Sequence, residues 1–93
     1  MDTKTVGDVY LAAAMISYNV VLADIDRTDR RRQRFNFKND REIDVFLLDD
    51  NTVLTQSVDL DKLEAMFTCN RLMLPPIYPD CVKKLKSALY AEE

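Results

Sequence analysis

The chain reads as an α+β fold: an N-terminal helix, an antiparallel β-hairpin, then two or three helices packed on the hairpin's apolar face. Three observations carry this. The 93 residues hold a single glycine, whereas a meandering all-β barrel or sandwich needs several for positive-φ turns. Apolar residues recur at three- and four-residue steps near both ends of the chain. Between them, two short segments alternate apolar and charged residues, the two-residue period of a half-buried strand.

The first helix is expected over about residues 6–18. Thr5-Val6-Gly7-Asp8 has capping-box spacing, with the Thr5 hydroxyl placed to accept from the amide three residues on and Asp8 standing for the usual Glu. Val6, Val9, Tyr10, Ala13, Ile16 and Ser17 follow at helical steps. Ala12, Ala13 and Ala14 raise the propensity and permit close packing. Asn19 suits the left-handed residue that ends a helix.

Val20–Asp26 and Arg32–Lys38 then read as two strands around a polar turn at Thr28-Asp29-Arg30-Arg31. Alternation puts Val21, Ala23 and Ile25 on one face of the first strand, and Phe35 and Phe37 on one face of the second. Asp24, Asp26, Arg32, Arg34, Asn36 and Lys38 fall on the opposite, charged face. The turn has no Asn-Gly or Asp-Gly, so a four-residue loop is expected rather than a two-residue primed turn.

Residues 41–55 admit two readings. Asp40 can cap a helix carrying Ile43, Phe46 and Leu47, or Val45–Leu48 and Thr52–Thr55 can form a second hairpin around Asp49-Asp50-Asn51. A short apolar run does not decide between them by periodicity, and a helix over about 41–49 is the preferred reading. Ser57–Asp61 opens a further helix carrying Leu60, Leu63, Met66 and Phe67. Its acids at 59, 61 and 64 lie in the first turns, where the helix dipole favours them, and it should end near Asn70. Leu74-Pro75-Pro76-Ile77-Tyr78-Pro79 is a stiff connector, because residues before proline avoid the helical region. A last helix, over about 79–91, buries Val82, Leu85 and Leu89 and exposes Lys83, Lys84 and Lys86.

Length and composition predict one domain, near the lower end of comfortable autonomous folding, with a single small core that needs no staples. No run of about 18 apolar residues exists to cross a membrane, and the N-terminus lacks the basic and apolar regions of a secretory signal. A cytoplasmic setting is therefore expected. With no histidine and two cysteines, the chain alone does not supply a four-ligand zinc site. Cys69 and Cys81 are expected to be buried free thiols. Neither has a histidine to activate it, and a glycine-rich phosphate loop is excluded. The carboxylate pairs Asp24/Asp26 and Asp49/Asp50 lack a third clustered acid. No enzyme, metal or cofactor is expected.

The order of the elements resembles the small phage and bacterial domain of unknown function DUF5659. The likeness runs through Asp8-Val9-Tyr10-Leu11-Ala12-Ala13 in the early helix, Arg34-Phe35-Asn36-Phe37 in the hairpin, and Leu85-Lys86-Ser87-Ala88-Leu89-Tyr90 in the last helix. Two features depart from it: Asn19 stands where glycine is usual, and the middle section through Pro75-Pro76 is longer. The resemblance implies a helix–hairpin–helices fold and a phage-related setting in a bacterial host. It implies no activity.

Two surfaces are candidates for contact. Between Arg27 and Lys38 lie six basic residues and one acid, a local +5 on a chain of net charge −3. Arg27, Arg30, Arg31, Arg32, Arg34 and Lys38 are of the type that neutralises phosphates. Yet Phe35 and Phe37 face the core rather than bases, Asp24 and Asp26 pair with the strand arginines, and the isoelectric point is near 4.9. That balance favours a protein partner, a second copy included, with nucleic acid as the alternative. The second surface is the apolar connector with Leu72, Leu74, Ile77 and Tyr78, either an interaction patch or a strap over the core.

Overall fold

The computed structural model describes residues 3–28 and 33–90. The chain runs β1 (Thr3–Val6), α1 (Val9–Ser17), β2 (Leu22–Asp26), β3 (Arg34–Lys38), β4 (Ile43–Asp49), β5 (Thr52–Val58), α2 (Leu60–Thr68) and α3 (Tyr78–Tyr90). The architecture is α+β, with antiparallel strands in a three-stranded sheet of order β1-β3-β2 and a β4-β5 pair.

β3 is the central strand of the first sheet, and its aromatic face is core as alternation predicts: Phe35 and Phe37 are 1% and 0% exposed. Val6 lies opposite Phe35 on one side, and Leu22 opposite Phe37 on the other. The expected inward set Val21, Ala23 and Ile25 is not what β2 presents. Its pairing shifts register between Leu22 and Asp24, so Leu22 and Ile25 both pack on the core while Val21 and Ala23 are exposed. One residue of irregularity is enough to reverse which side chains face inward.

β1 is an element the sequence reading assigned to a helix start. Thr5 is extended, and its hydroxyl donates to Asn36 Oδ1 at 2.7 Å across the sheet. The cap of α1 is Asp8 instead, whose carboxylate accepts from the Tyr10 amide at 2.8 Å. A central strand has two edges to fill, and the β-branched Thr-Lys-Thr-Val run fills the second one.

α1 is buried nearly all round, with Leu11, Ala12, Ala13, Ala14, Met15 and Ser17 inside. It ends as expected on a left-handed Asn19 (φ 66°). The amide of Val20 donates to Met15 O at 3.0 Å and that of Asn19 to Ile16 O at 2.9 Å, the paired bonds of a Schellman motif. α2 repeats the device: Asn70 has φ 60°, Arg71 donates to Met66 O at 3.0 Å and Asn70 to Phe67 O at 3.1 Å. α2 starts on Asp59, which accepts from the Lys62 amide at 2.8 Å. Lys4 of β1 reaches α2, with Nζ 2.7 Å from Asp61 Oδ1 and 2.6 Å from Glu64 Oε1.

The preferred helix over 41–49 is overturned. β4 and β5 form a hairpin in continuous register from Ile43↔Val58 to Asp49↔Thr52. Asp50 and Asn51 occupy the turn with φ 46° and 65°; positive φ at both central residues is the primed two-residue turn that matches strand twist. Helical spacing would bury Phe46 and expose Val45. Val45 is 0% exposed and Phe46 is 48% exposed, so the period is two.

The connector does not merely strap the core. Leu72 forms an isolated antiparallel bridge to Leu47, which lays residues 71–73 beside β4 without extending the two-stranded sheet, and Leu72 is buried. α3 then carries buried Cys81 and Leu85 against the rest. Cys69, expected inside with Cys81, is exposed at the end of α2; both are free thiols. The core is one cluster fed by β1, α1, β3, β4, β5, α2, residue 72 and α3. No helix among the described residues is long and apolar enough to cross a membrane.

Candidate interaction surface

The pairing of β4 with β5 and with residues 71–73 decides which side chains share a face. Val45, Leu47 and their partners Gln56, Leu54 and Leu72 lie on one face, toward the core. Phe46, Leu48 and Val53 lie on the other, with Leu48 directly opposite Val53. Met73 joins them, because its amide donates to Phe46 O at 2.9 Å and fixes it beside that residue. Phe46, Leu48 and Val53 are each about half exposed, and Met73 is 38% exposed. Four large apolar groups therefore sit in contact range on an open sheet face. Together they leave a contiguous apolar patch in water, a feature that on a monomer is often functional.

The hairpin's distal end is open on both sides. Val53 and Leu54 are adjacent and point to opposite faces, yet they are 52% and 45% exposed. Leu74 and Ile77 follow Met73 in the chain and are also exposed. Charge flanks the apolar groups: Asp44 is exposed at the proximal end, and Arg71, whose carbonyl accepts from the Leu48 amide at 2.9 Å, stands beside Leu48 with its Nη2 3.5 Å from Asp49 Oδ1.

A side chain from the end of α1 joins β4 to residues 71–73 at this face. The Tyr18 hydroxyl accepts from the Phe46 amide at 3.3 Å and donates to the Met73 carbonyl. Burial pushes the Tyr18 phenol above its ordinary 10.0, and the Phe46 amide donated to it opposes this in part.

The basic residues are spread over different duties. Arg34 and Lys38 are exposed on the outer face of the first sheet. Arg34 lies opposite Asp26, and Lys38 opposite Thr3. Asp24 accepts from Asn36 Nδ2 at 2.6 Å. Asp26 accepts from the Thr28 hydroxyl and amide at 2.6 and 2.9 Å. Those two bonds, with Arg34 adding a smaller attraction, hold its carboxyl below the usual range. Arg27 turns away from the sheet face, its Nη2 donating to Ala88 O at 3.1 Å in the last turn of α3. Arg30, Arg31 and Arg32 lie outside the described residues. Of the connector set, Leu72 is interior and offers no side-chain surface, while Leu74 and Ile77 are exposed. Tyr78 is half buried, and its hydroxyl donates to Tyr10 O at 3.4 Å. Burial raises its pKa, with Asp8 adding to the effect.

The structure thus assembles a surface of which the sequence reading found only the rim. Phe46 and Leu48 were hidden by preferring a helix over 41–49 to the hairpin alternative, and with them their pairing to the Val53 strand. The signal available was Asp50-Asn51, two residues that tolerate positive φ between two apolar runs. Among the described residues, no three acids or cysteines gather as metal ligands. No family model matches the chain, nor does any curated protein or solved structure, so the surface is read from its own chemistry.

Proposed function

We propose that this chain is a non-enzymatic interaction module that takes a protein partner on the outer face of the β4–β5 sheet. The observation that carries this reading is the cluster of Phe46, Leu48, Val53 and Met73, substantially exposed on one face while Val45 and Val58 are fully buried on the other. Four large apolar groups in water gain from being covered, at about 25 cal/mol for each Å² removed. A monomer with no use for such a face would carry polar residues at these outward positions. The motif resemblance supports a phage-related setting, and the cytoplasm of a bacterial host is part of the same proposal.

The test is a photo-crosslinking amino acid introduced at Phe46 or Leu48, with Lys83 on exposed α3 as the control position, in the full chain expressed in a bacterial host. The reading expects one discrete adduct common to positions 46 and 48 and absent at 83. The same scattered products at all three positions, or none, would overturn it.

A further inference from the structure

We infer that the outer edge of β5 is a docking strand for a second copy of this chain, which pairs antiparallel about Thr55 and joins the two β4–β5 sheets. This rests on the interaction reading above but on a different observation, the edge rather than the face.

Which peptide groups the edge offers follows from the ladder on β4. The Leu48 amide donates to Arg71 O, and the Phe46 carbonyl accepts from Met73, each at 2.9 Å. In an antiparallel ladder successive residues bond alternately to one neighbour and the other. Phe46 and Leu48 therefore direct their peptide groups away from β5. Their partners Thr55 and Val53 direct theirs away from β4, as does Ser57 opposite Asp44. Among the described residues β5 pairs with β4 alone, so Val53, Thr55 and Ser57 present N–H and C=O to the outside.

That edge lacks the guards of charge, proline and register break. Thr52-Val53-Leu54-Thr55-Gln56-Ser57-Val58 has no charge, proline or glycine. The two edges of the other sheet are protected: β1 is four residues long with Lys4 in its middle, and β2 carries Asp24 and Asp26 and a register break. Edge strands are ordinarily blunted by shortness, charge or irregularity. The β5 edge carries none of these devices, while both edges of the other sheet do.

The strand also complements itself. A two-fold axis through Thr55 sets Thr55 against its own copy and Val53 against the partner's Ser57, giving about six backbone hydrogen bonds across the axis. A Thr–Thr pair is favourable at the centre. Leu54 meets the partner's Gln56, so no charge within the strand meets its like. An acidic or basic peptide would gain nothing from this neutral edge. The flanks are a different matter: the same axis brings Asp49 and Asp50 of one copy toward Asp59 and Asp61 of the other. Self-pairing is thus opposed by charge at low ionic strength and tightens as salt screens the acids. An edge this short covers less than the roughly 1,000 Å² of a stable interface, so the association is a weak, reversible one.

The experiment is sedimentation velocity of the full chain over a concentration series up to about 1 mM, the weak limit of specific association, at low and high salt. Two edge variants accompany it. Thr55→Pro removes an N–H that β4 does not use, and Thr55→Lys places like charges on the axis. Circular dichroism and thermal melting establish that each is folded. We expect a reversible monomer–dimer equilibrium that is several-fold tighter at high salt and is abolished in both variants. A wild type that stays monomeric throughout, or a dimer unchanged in the folded variants, overturns edge pairing. A dimer lost in Phe46→Lys but kept in Thr55→Lys puts the second copy on the face, so that edge pairing falls and the interaction reading stands. A monomer that still gives a discrete heavier adduct from position 46 has the same consequence.

Discussion

The hydroxyl of Tyr18 occupies the place of a missing rung next to Phe46. In the ladder between β4 and residues 71–73, the Met73 amide donates to Phe46 O at 2.9 Å. The reciprocal bond, from the Phe46 amide to the Met73 carbonyl, is spanned by Tyr18, which accepts from one and donates to the other. Tyr18 is also the residue that closes α1. One phenol thereby joins the end of the buried helix to the sheet that carries the apolar face.

Tyr18→Phe removes that link at little cost in volume. It leaves the Phe46 amide and the Met73 carbonyl unpaired, which costs about 1–3 kcal/mol when the groups are shielded from water. Urea unfolding should show a loss of this size, and hydrogen exchange should accelerate at the Phe46 amide more than at Val45. The linkage to pH has a definite sign. Burial raises the folded phenol above 10.0, so the protein is stabilised relative to its unfolded chain below that pH, and the contribution is lost as pH climbs through the folded value. The Phe variant should lack this part of the alkaline decline.

Lys4 makes a second alkaline contribution. Hydrogen bonds from its ammonium to Asp61 and then Glu64 raise its pKa above 10.5. The stabilisation is whole below 10.5 and disappears as pH rises through the higher folded value. Asp61 is largely exposed, with 74% of its side chain in water, so screening keeps the effect to roughly 1 kcal/mol or less. Melting temperature followed from pH 8 to about 11, bracketing the lysine range, should fall less steeply for Lys4→Met than for the wild type. At neutral pH the variant should be slightly less stable, and the difference should shrink in high salt.

The turn of the second hairpin can be improved. Asn51 holds φ 65° and Asp50 φ 46°, a region that costs an L-residue about 1 kcal/mol and glycine almost nothing. Asn51→Gly should stabilise the chain by about 0.5–1 kcal/mol, and Asn51→Val should destabilise it by more than that. Chemical denaturation of the three proteins checks the order.

These residues also mark how far the sequence could be read. Asn19 and Asn70 end α1 and α2 where an asparagine after a helical run predicts, because the demand for a left-handed residue is local. Phe35 and Phe37 are buried as their alternation predicts. The same test failed at Phe46, where a run of apolar residues fits both periods and the deciding fact, the Asp50-Asn51 turn, lacks the glycine that usually announces it. β1 was missed because a four-residue strand is specified by the edge it fills. Tyr18 had no signal at all: its partners are 28 and 55 residues away. The candidate face depends on that contact and on the β4 assignment, so it becomes visible only once the chain is folded.

Arg27 separates the two uses of the basic island. Its Nη2 bond to Ala88 O places a cation at the C-terminal end of α3, where the helix dipole welcomes it, and ties the end of β2 to that helix. Arg27→Gln should therefore lower stability by about 1 kcal/mol. If the island's role were phosphate binding, removing one of its cations would instead reduce the slope of affinity against salt by about one contact. Fluorescence polarisation with single- and double-stranded DNA and RNA across a salt series, on wild type and Arg27→Gln, distinguishes these outcomes. The interaction reading expects no appreciable binding by either protein at physiological salt. Tight binding with a steep salt slope that flattens in Arg27→Gln would instead favour nucleic acid, because a residue serving only to anchor α3 changes melting temperature and leaves that slope alone.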